Sequence, residues 1–131
     1  MKEKGGTVSL KDQTVFTELP ASRSFETDGC IYVSGQGGLD ASTGEIVGPD
    51  IETQTIATME NIRAILAESG LDLDSIVKVN VYLSDRGLYQ KFNEVYGTFF
   101  SAPYPARTTI YCDLNYELLV EIDAFAVRRQ G

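Results

Sequence analysis

The chain has no histidine and no tryptophan, only two cysteines, four prolines, and no long apolar run. Without histidine there is no Ser-His-Asp triad and no Cys-His dyad. The usual neutral-pH base and the commonest zinc ligand are missing too. Cys30 and Cys112 stand far apart with no Cys-x-x-Cys spacing, so they form neither a metal knuckle nor a thioredoxin-like redox pair. No segment approaches the roughly 20 apolar residues of a membrane span, and no apolar stretch follows the charged and glycine-rich start, Met1 to Gly6. The expected address is the cytoplasm, where both thiols stay reduced. Basic residues are scarce: 11 Lys and Arg against 19 Asp and Glu give a net charge of −8, which repels polyanions and argues against a nucleic-acid groove.

What is present is one domain's worth of chain, residues 1–131, long enough to bury a core without staples or a cofactor. Alternation at Thr7-Val8-Ser9-Leu10 and at residues 13–17 predicts a short hairpin. Ser24 to Thr27 adds a short strand, Asp28-Gly29 a turn, and Cys30 to Ser34 a strand that ends in a glycine-rich loop over 35–48. From Asp50, a good N-cap, apolar positions Ile51, Ile56, Met59, Ile62, Ile65 and Leu66 mark a helix that Gly70 closes. Residues 76–83 alternate as a strand, with Val77, Val79, Val81 and Leu83 on one side and Lys78, Asn80 and Tyr82 on the other. A second helix carries Leu88, Phe92, Val95, Tyr96 and Phe99, and Pro103 and Pro105 prevent its continuation. Two closing strands, 107–113 and 118–128, are separated by a connection of hairpin length.

The last strand is apolar on both faces. Leu118, Val120, Ile122, Ala124 and Ala126 form one row, while Leu119, Phe125 and Val127 share the other with Glu121 and Asp123. Two helices cover one face of a sheet, so an α+β two-layer sandwich, a mixed β-sheet with two helices on one face, leaves the second face for another subunit. A closed small barrel is the alternative that needs no partner.

Acid and base chemistry without histidine falls to carboxylates, Lys, Tyr or Cys. Glu121 stands out because a charge inside so apolar a strand is costly unless paired or functional. If the closing strands form a hairpin, Arg107 and Glu121 share one sheet surface, either as an ion pair or as a carboxylate-binding fork beside an acid/base group. Cys112 and Cys30 read as small buried apolar residues. Phe92, Tyr96 and Phe99 read as core.

The blocks Cys30-Ile31-Tyr32-Val33-Ser34-Gly35-Gln36, Thr43-Gly44-Glu45-Ile46-Val47, Gln54-Thr55, Asn61-Ile62, Phe92-Asn93-Glu94-Val95-Tyr96, Pro105-Ala106-Arg107 and Val120-Glu121-Ile122-Asp123-Ala124 resemble, in order and spacing, the YjgF/RidA family of reactive-intermediate deaminases. The resemblance runs from about Pro20 to Arg128. It implies a chorismate-mutase-like fold and a homotrimer with a β-barrel core and clefts between subunits. It also implies hydrolytic deamination of 2-imino and enamine acids to 2-oxo acids and ammonia, without metal or cofactor. In that role Arg107 binds the substrate carboxylate and Glu121 positions the water, while Ser34, Gly35, Asn93 and Thr109 contact the substrate. Two positions depart from the pattern: Ala21 replaces an aromatic ahead of the early strand, and Thr109 replaces a frequent cysteine. A non-catalytic metabolite-binding or regulatory trimer is the alternative, and an endoribonuclease a third reading that the charge opposes.

Overall fold

A computed structural model describes residues 19–129, so the expected hairpin before residue 18 lies outside the described residues. Strands β1 (Ser24–Thr27) and β2 (Cys30–Gly37) form an antiparallel hairpin. Its turn uses positive φ at both Asp28 (51°) and Gly29 (79°), the backbone a two-residue primed turn requires. Helix α1 (Ile51–Ala67) starts at Asp50, whose carboxylate accepts the Thr53 N–H. It is closed at Gly70 (φ 76°), with Leu71 N–H donating to the Leu66 carbonyl and Gly70 N–H to that of Ala67. A short 3₁₀ turn leads into β3 (Ile76–Leu83). Another precedes α2 (Tyr89–Tyr96), and the chain ends in β4 (Ala106–Tyr111) and β5 (Val120–Val127).

The five strands form one mixed sheet in the order β1-β2-β5-β3-β4, with both helices on one face. Ile31, Val33, Val79, Val81, Leu83, Val120, Ile122, Ala124 and Ala126 point to the helices. There they meet Met59, Ile62, Ile65 and Leu66 of α1 and Phe92 of α2, all buried. Each large apolar side chain so buried stabilises the fold by roughly 1.5–3 kcal/mol. The expected two-layer α+β architecture is present.

Four local expectations are corrected. The closing strands do not pair with each other: β3 lies between them, parallel to β4 and antiparallel to β5. The segment from β3 through α2 to β4 is a crossover, which places two strands side by side and parallel. The early strand does not stop at Ser34 but runs to Gly37 through a bulge between Val33 and Gln36. Its glycines serve close approach: a Cβ on Gly37 would lie 2.9 Å from the Leu118 side chain, and one on Gly38 2.8 Å from the Gln54 Cα. Val77 is exposed, because a register shift between Ile76 and Lys78 turns Ile76 inward in its place. Ile56 also faces solvent, and the inward positions of α1 include the buried polar side chains Gln54, Thr55 and Thr58. Gln54 ties three segments together, donating to the Gly48 carbonyl (2.8 Å) and, more weakly, to that of Glu117, and accepting the Leu119 N–H (2.8 Å).

The face opposite the helices carries one apolar row across the sheet. Phe25, Tyr32 and Phe125 are in register, with Lys78 beyond, and Tyr32 meets Phe125 edge to face at 5.2 Å. Phe25 is 64% exposed and Phe125 37%. Val127 is half-buried, and Leu119, just ahead of β5, packs partly against the core.

Candidate active site

Arg107 lies on β4 opposite Val79, and Thr109 opposite Val81, so both point to the helix side at the edge of the sheet. Prolines at 103 and 105 fix the chain's approach to this strand. The Arg107 guanidinium sits over the rings of Tyr96 (5.1 Å), Phe92 (5.6 Å) and Tyr89 (5.9 Å), and donates a long 3.5 Å hydrogen bond to the Tyr89 hydroxyl. Asn93 and Tyr96 from α2 and Gly97 just past its end, with Tyr104, Pro105 and Arg107, line a cleft of about 360 Å³. Among the described residues, no carboxylate pairs with Arg107. Nor does any hydrogen bond reach Asn93 Oδ1, Tyr96 Oη or Thr109 Oγ1, all buried. Burial pushes the Tyr96 phenol up to about 12, with the Arg107 charge acting in the opposite direction. A cation cushioned by aromatic rings beside unsatisfied polar atoms forms a receptor for a small anion with further hydrogen-bonding groups.

Glu121 is elsewhere. It is in register with Tyr82, and both point to the sheet face away from the helices. Arg107 and Glu121 of one chain are therefore on opposite faces. The expectation that they share one surface fails because it assumed a hairpin that β3 interrupts. The Glu121 carboxylate rests against Gly35, where a Cβ would stand 3.0 Å from its Cδ. Burial, seconded by the Asp123 charge, raises its carboxyl above the ordinary 4.5. Ser34 and Gly35 line an open-face groove of about 550 Å³ with Ala21, Tyr32, Asn80 and Phe125. The Ser34 hydroxyl donates to the Ser22 carbonyl at 2.6 Å. Beside Glu121, Asp123 accepts from Asn80 Nδ2 (2.8 Å) and from the Tyr82 hydroxyl (3.0 Å).

The six residues singled out in the sequence thus fall into two groups: Asn93 and Arg107 at the edge cleft with Thr109 further along β4 on the same face, and Ser34, Gly35 and Glu121 on the open face. Tyr96, expected as core packing, and Tyr89, to which the sequence assigns no role, both meet the Arg107 guanidinium. A phenol where phenylalanine would fill the same core position was the available signal. Cys112 is exposed and Cys30 half-buried, both as free thiols, so neither is the fully buried apolar residue expected. Among the described residues, no helix is long and apolar enough to cross a membrane.

The mixed sheet backed by two helices thus carries a cationic cleft at one edge and a half-buried carboxylate on the bare face. Residues 14–128 match the family described as Endoribonuclease L-PSP, and the chain belongs to this family, the YjgF/RidA group. It is 40% identical to a RutC family protein of Pyrococcus abyssi over 91% of this chain and 99% of that one. It is 36% identical to the 2-iminobutanoate/2-iminopropanoate deaminase of Mus musculus, over 83% and 82%. The crystal structure of RidA from an Antarctic Psychrobacter species superimposes with a TM-score of 0.79 at 32% identity, covering 84% of this chain and 89% of that one.

Proposed function

We propose that the protein hydrolyses 2-imino acids, and the enamines that tautomerise to them, to 2-oxo acids and ammonia, at sites completed between copies of the chain in a homotrimer. The observation that carries this reading is the Arg107 guanidinium, with no carboxylate partner among the described residues, in one cleft with Asn93 Oδ1 and Tyr96 Oη, two buried polar atoms that lack partners there. Its planar fork suits the substrate carboxylate, Asn93 of the same cleft would hold an adjoining polar group, and Thr109, on the same face of β4, would contact the substrate. Glu121 of the same chain is on the wrong face to meet that substrate, so the carboxylate comes from a second copy, docked through the exposed row of Phe25, Tyr32 and Phe125. Ser34 and Gly35 line the groove on that side, and Gly35 leaves room for the Glu121 side chain.

The chemistry needs little more. A protonated imine carbon is electrophilic; as the water oxygen bonds to it, the C=N π pair moves to nitrogen and Glu121 takes the water proton. Glu121 then returns that proton to nitrogen, the C–N bond breaks as ammonia leaves, and the hydroxyl oxygen closes to the 2-oxo group as its own proton goes to the base or solvent. A carboxyl raised by burial is suited to both transfers. The relative named 2-iminobutanoate/2-iminopropanoate deaminase supports the substrate class, and the net charge of −8 opposes the RNA substrate that the family's description implies.

The test generates imino acids in place with an amino-acid oxidase and follows 2-oxo acid and ammonia release. Acceleration over buffer that disappears in Arg107→Ala is expected. No acceleration by a folded, assembled protein that still binds 2-oxo acids would leave a metabolite-binding role instead.

A further inference from the structure

Two carboxylates, Glu121 and Asp123, project from β5 on the same face, one pleat repeat or about 6.6 Å apart along the strand. They are treated unequally. Tyr82 is directly opposite Glu121 in register, yet its hydroxyl reaches diagonally to Asp123 Oδ2, while Asn80, opposite Asp123, donates to Oδ1. Both donors on this stretch of β3 go to Asp123. Among the described residues, none reaches Glu121, whose carboxylate lies against the Gly35 backbone.

We propose that Asp123, clamped by Asn80 and Tyr82, is a positioning residue that sets the proton occupancy of Glu121, making Glu121 a proton donor as well as an acceptor in the deamination proposed above. The clamp holds the Asp123 carboxylate at a fixed distance from Glu121 and leaves Glu121 without a hydrogen-bond donor among the described residues. An ionised Glu121 is then opposed by burial and, after that, by a like charge, whereas the protonated form is opposed by neither. The other groups facing this site are few. On β3 there is the Tyr82 phenol, itself pushed up chiefly by its bond to Asp123, and on β2 the uncharged Ser34, Gly35 and Gln36. Cys112, just past β4, adds a weak influence on Tyr82, and Lys78 is two pleat repeats beyond Glu121's partner on β3. In the assembly proposed above, Arg107 of the second copy faces Glu121 as well, and the substrate carboxylate neutralises it during the reaction.

The inference rests on the functional reading for its role in catalysis but not for its physical core, and the test separates the two. The Glu121 carboxyl carbon is titrated by ¹³C NMR in the full chain, assigned by its loss in Glu121→Gln, and compared in wild type and Asp123→Asn, which keeps the shape and the Asn80 bond. A lower midpoint is expected, because the variant removes a like charge from beside the carboxyl. The acid limb of kcat/KM, set by the ionised Glu121 that takes the water proton, should move down with it. Asp123→Ser, which removes the charge with a smaller side chain, should move the midpoint in the same direction and serves if the Asn variant does not fold. A midpoint unmoved in a folded variant overturns the proposal whatever the activity. A midpoint that moves in a protein without deaminase turnover supports the coupling and overturns the functional reading instead.

Discussion

Replacing Gly35 with alanine puts one methyl group into the place where Glu121 rests. The added Cβ would overlap Oε2 and lie 3.0 Å from Cδ and 3.2 Å from Cγ, all atoms at the free end of a flexible side chain. Gly35 has no positive φ, so the backbone accepts alanine. The carboxylate therefore swings aside, at about 0.5–1.5 kcal/mol for a displaced rotamer, and its oxygens move by an ångström or more. A displacement of that size in a catalytic group costs on the order of 100-fold in rate. Gly38→Ala is the matched control. There the Cβ would be 2.7 Å from the Gln54 Cβ and 2.8 Å from its Cα, and a helix backbone cannot turn away. Overpacking of this kind costs roughly 1–3 kcal/mol, which for a domain of this size lowers Tm by about 5–10 °C. Thermal melts and imine turnover on both variants should give Gly35→Ala a nearly native Tm with turnover down about 100-fold, and Gly38→Ala the reverse. Gly35→Ala with turnover within about threefold of wild type would refute the placement of Glu121 in the reaction.

Arg107→Lys keeps the charge but loses the planar fork; 2-oxo acid affinity should fall by 10-fold or so, measured by calorimetry, with Tm nearly unchanged because no described carboxylate pairs with it. Glu121→Gln should keep ligand affinity and lose turnover. Its stability has a sign of its own: the folded carboxyl binds its proton more tightly than the unfolded one at 4.5, so wild type loses stability as pH rises from there through the raised value. Melts should show the glutamine variant level with wild type near about pH 4 and more stable towards neutrality. Gln54→Leu leaves the Leu119 N–H and the Gly48 carbonyl without their partner, and denaturant unfolding should show a loss of about 2–4 kcal/mol.

Strand and helix identity was legible because burial imposes its period. The row Val120, Ile122, Ala124 and Ala126 is wholly inaccessible, as its alternation required, and Met59, Ile62, Ile65 and Leu66 form the core stripe of α1. Topology was not legible from parity. Alternation says which residues share a face within a strand, but it is silent on which strand lies next to it. A short connection suggests a hairpin between the closing strands, whereas the strand-helix-strand order of residues 76–111 favours a parallel crossover that claims β3's flank. Bulges were equally invisible: one residue inserted near Val77 and another near Gly35 reverse the local parity without any change in composition. The site followed the same division. Arg107 and Asn93 line one cleft, with Thr109 two residues further along β4 on the same face, but their separation from Glu121 depends on strand order. The Asn80, Tyr82 and Asp123 network depends on a diagonal across two strands.

The central claim is that one chain supplies Arg107 and another supplies Glu121. Subunit complementation measures it directly: Arg107→Ala and Glu121→Gln chains, each inactive alone, are co-expressed, and imine turnover of the mixed assemblies is compared with wild type. A site shared between copies is intact wherever the Glu121→Gln chain lends its arginine to the Arg107→Ala chain's glutamate, roughly one site in four for random mixing. Recovery of about a quarter of wild-type turnover is the predicted result. Mixed assemblies that form normally and remain as inactive as their parents would contradict it.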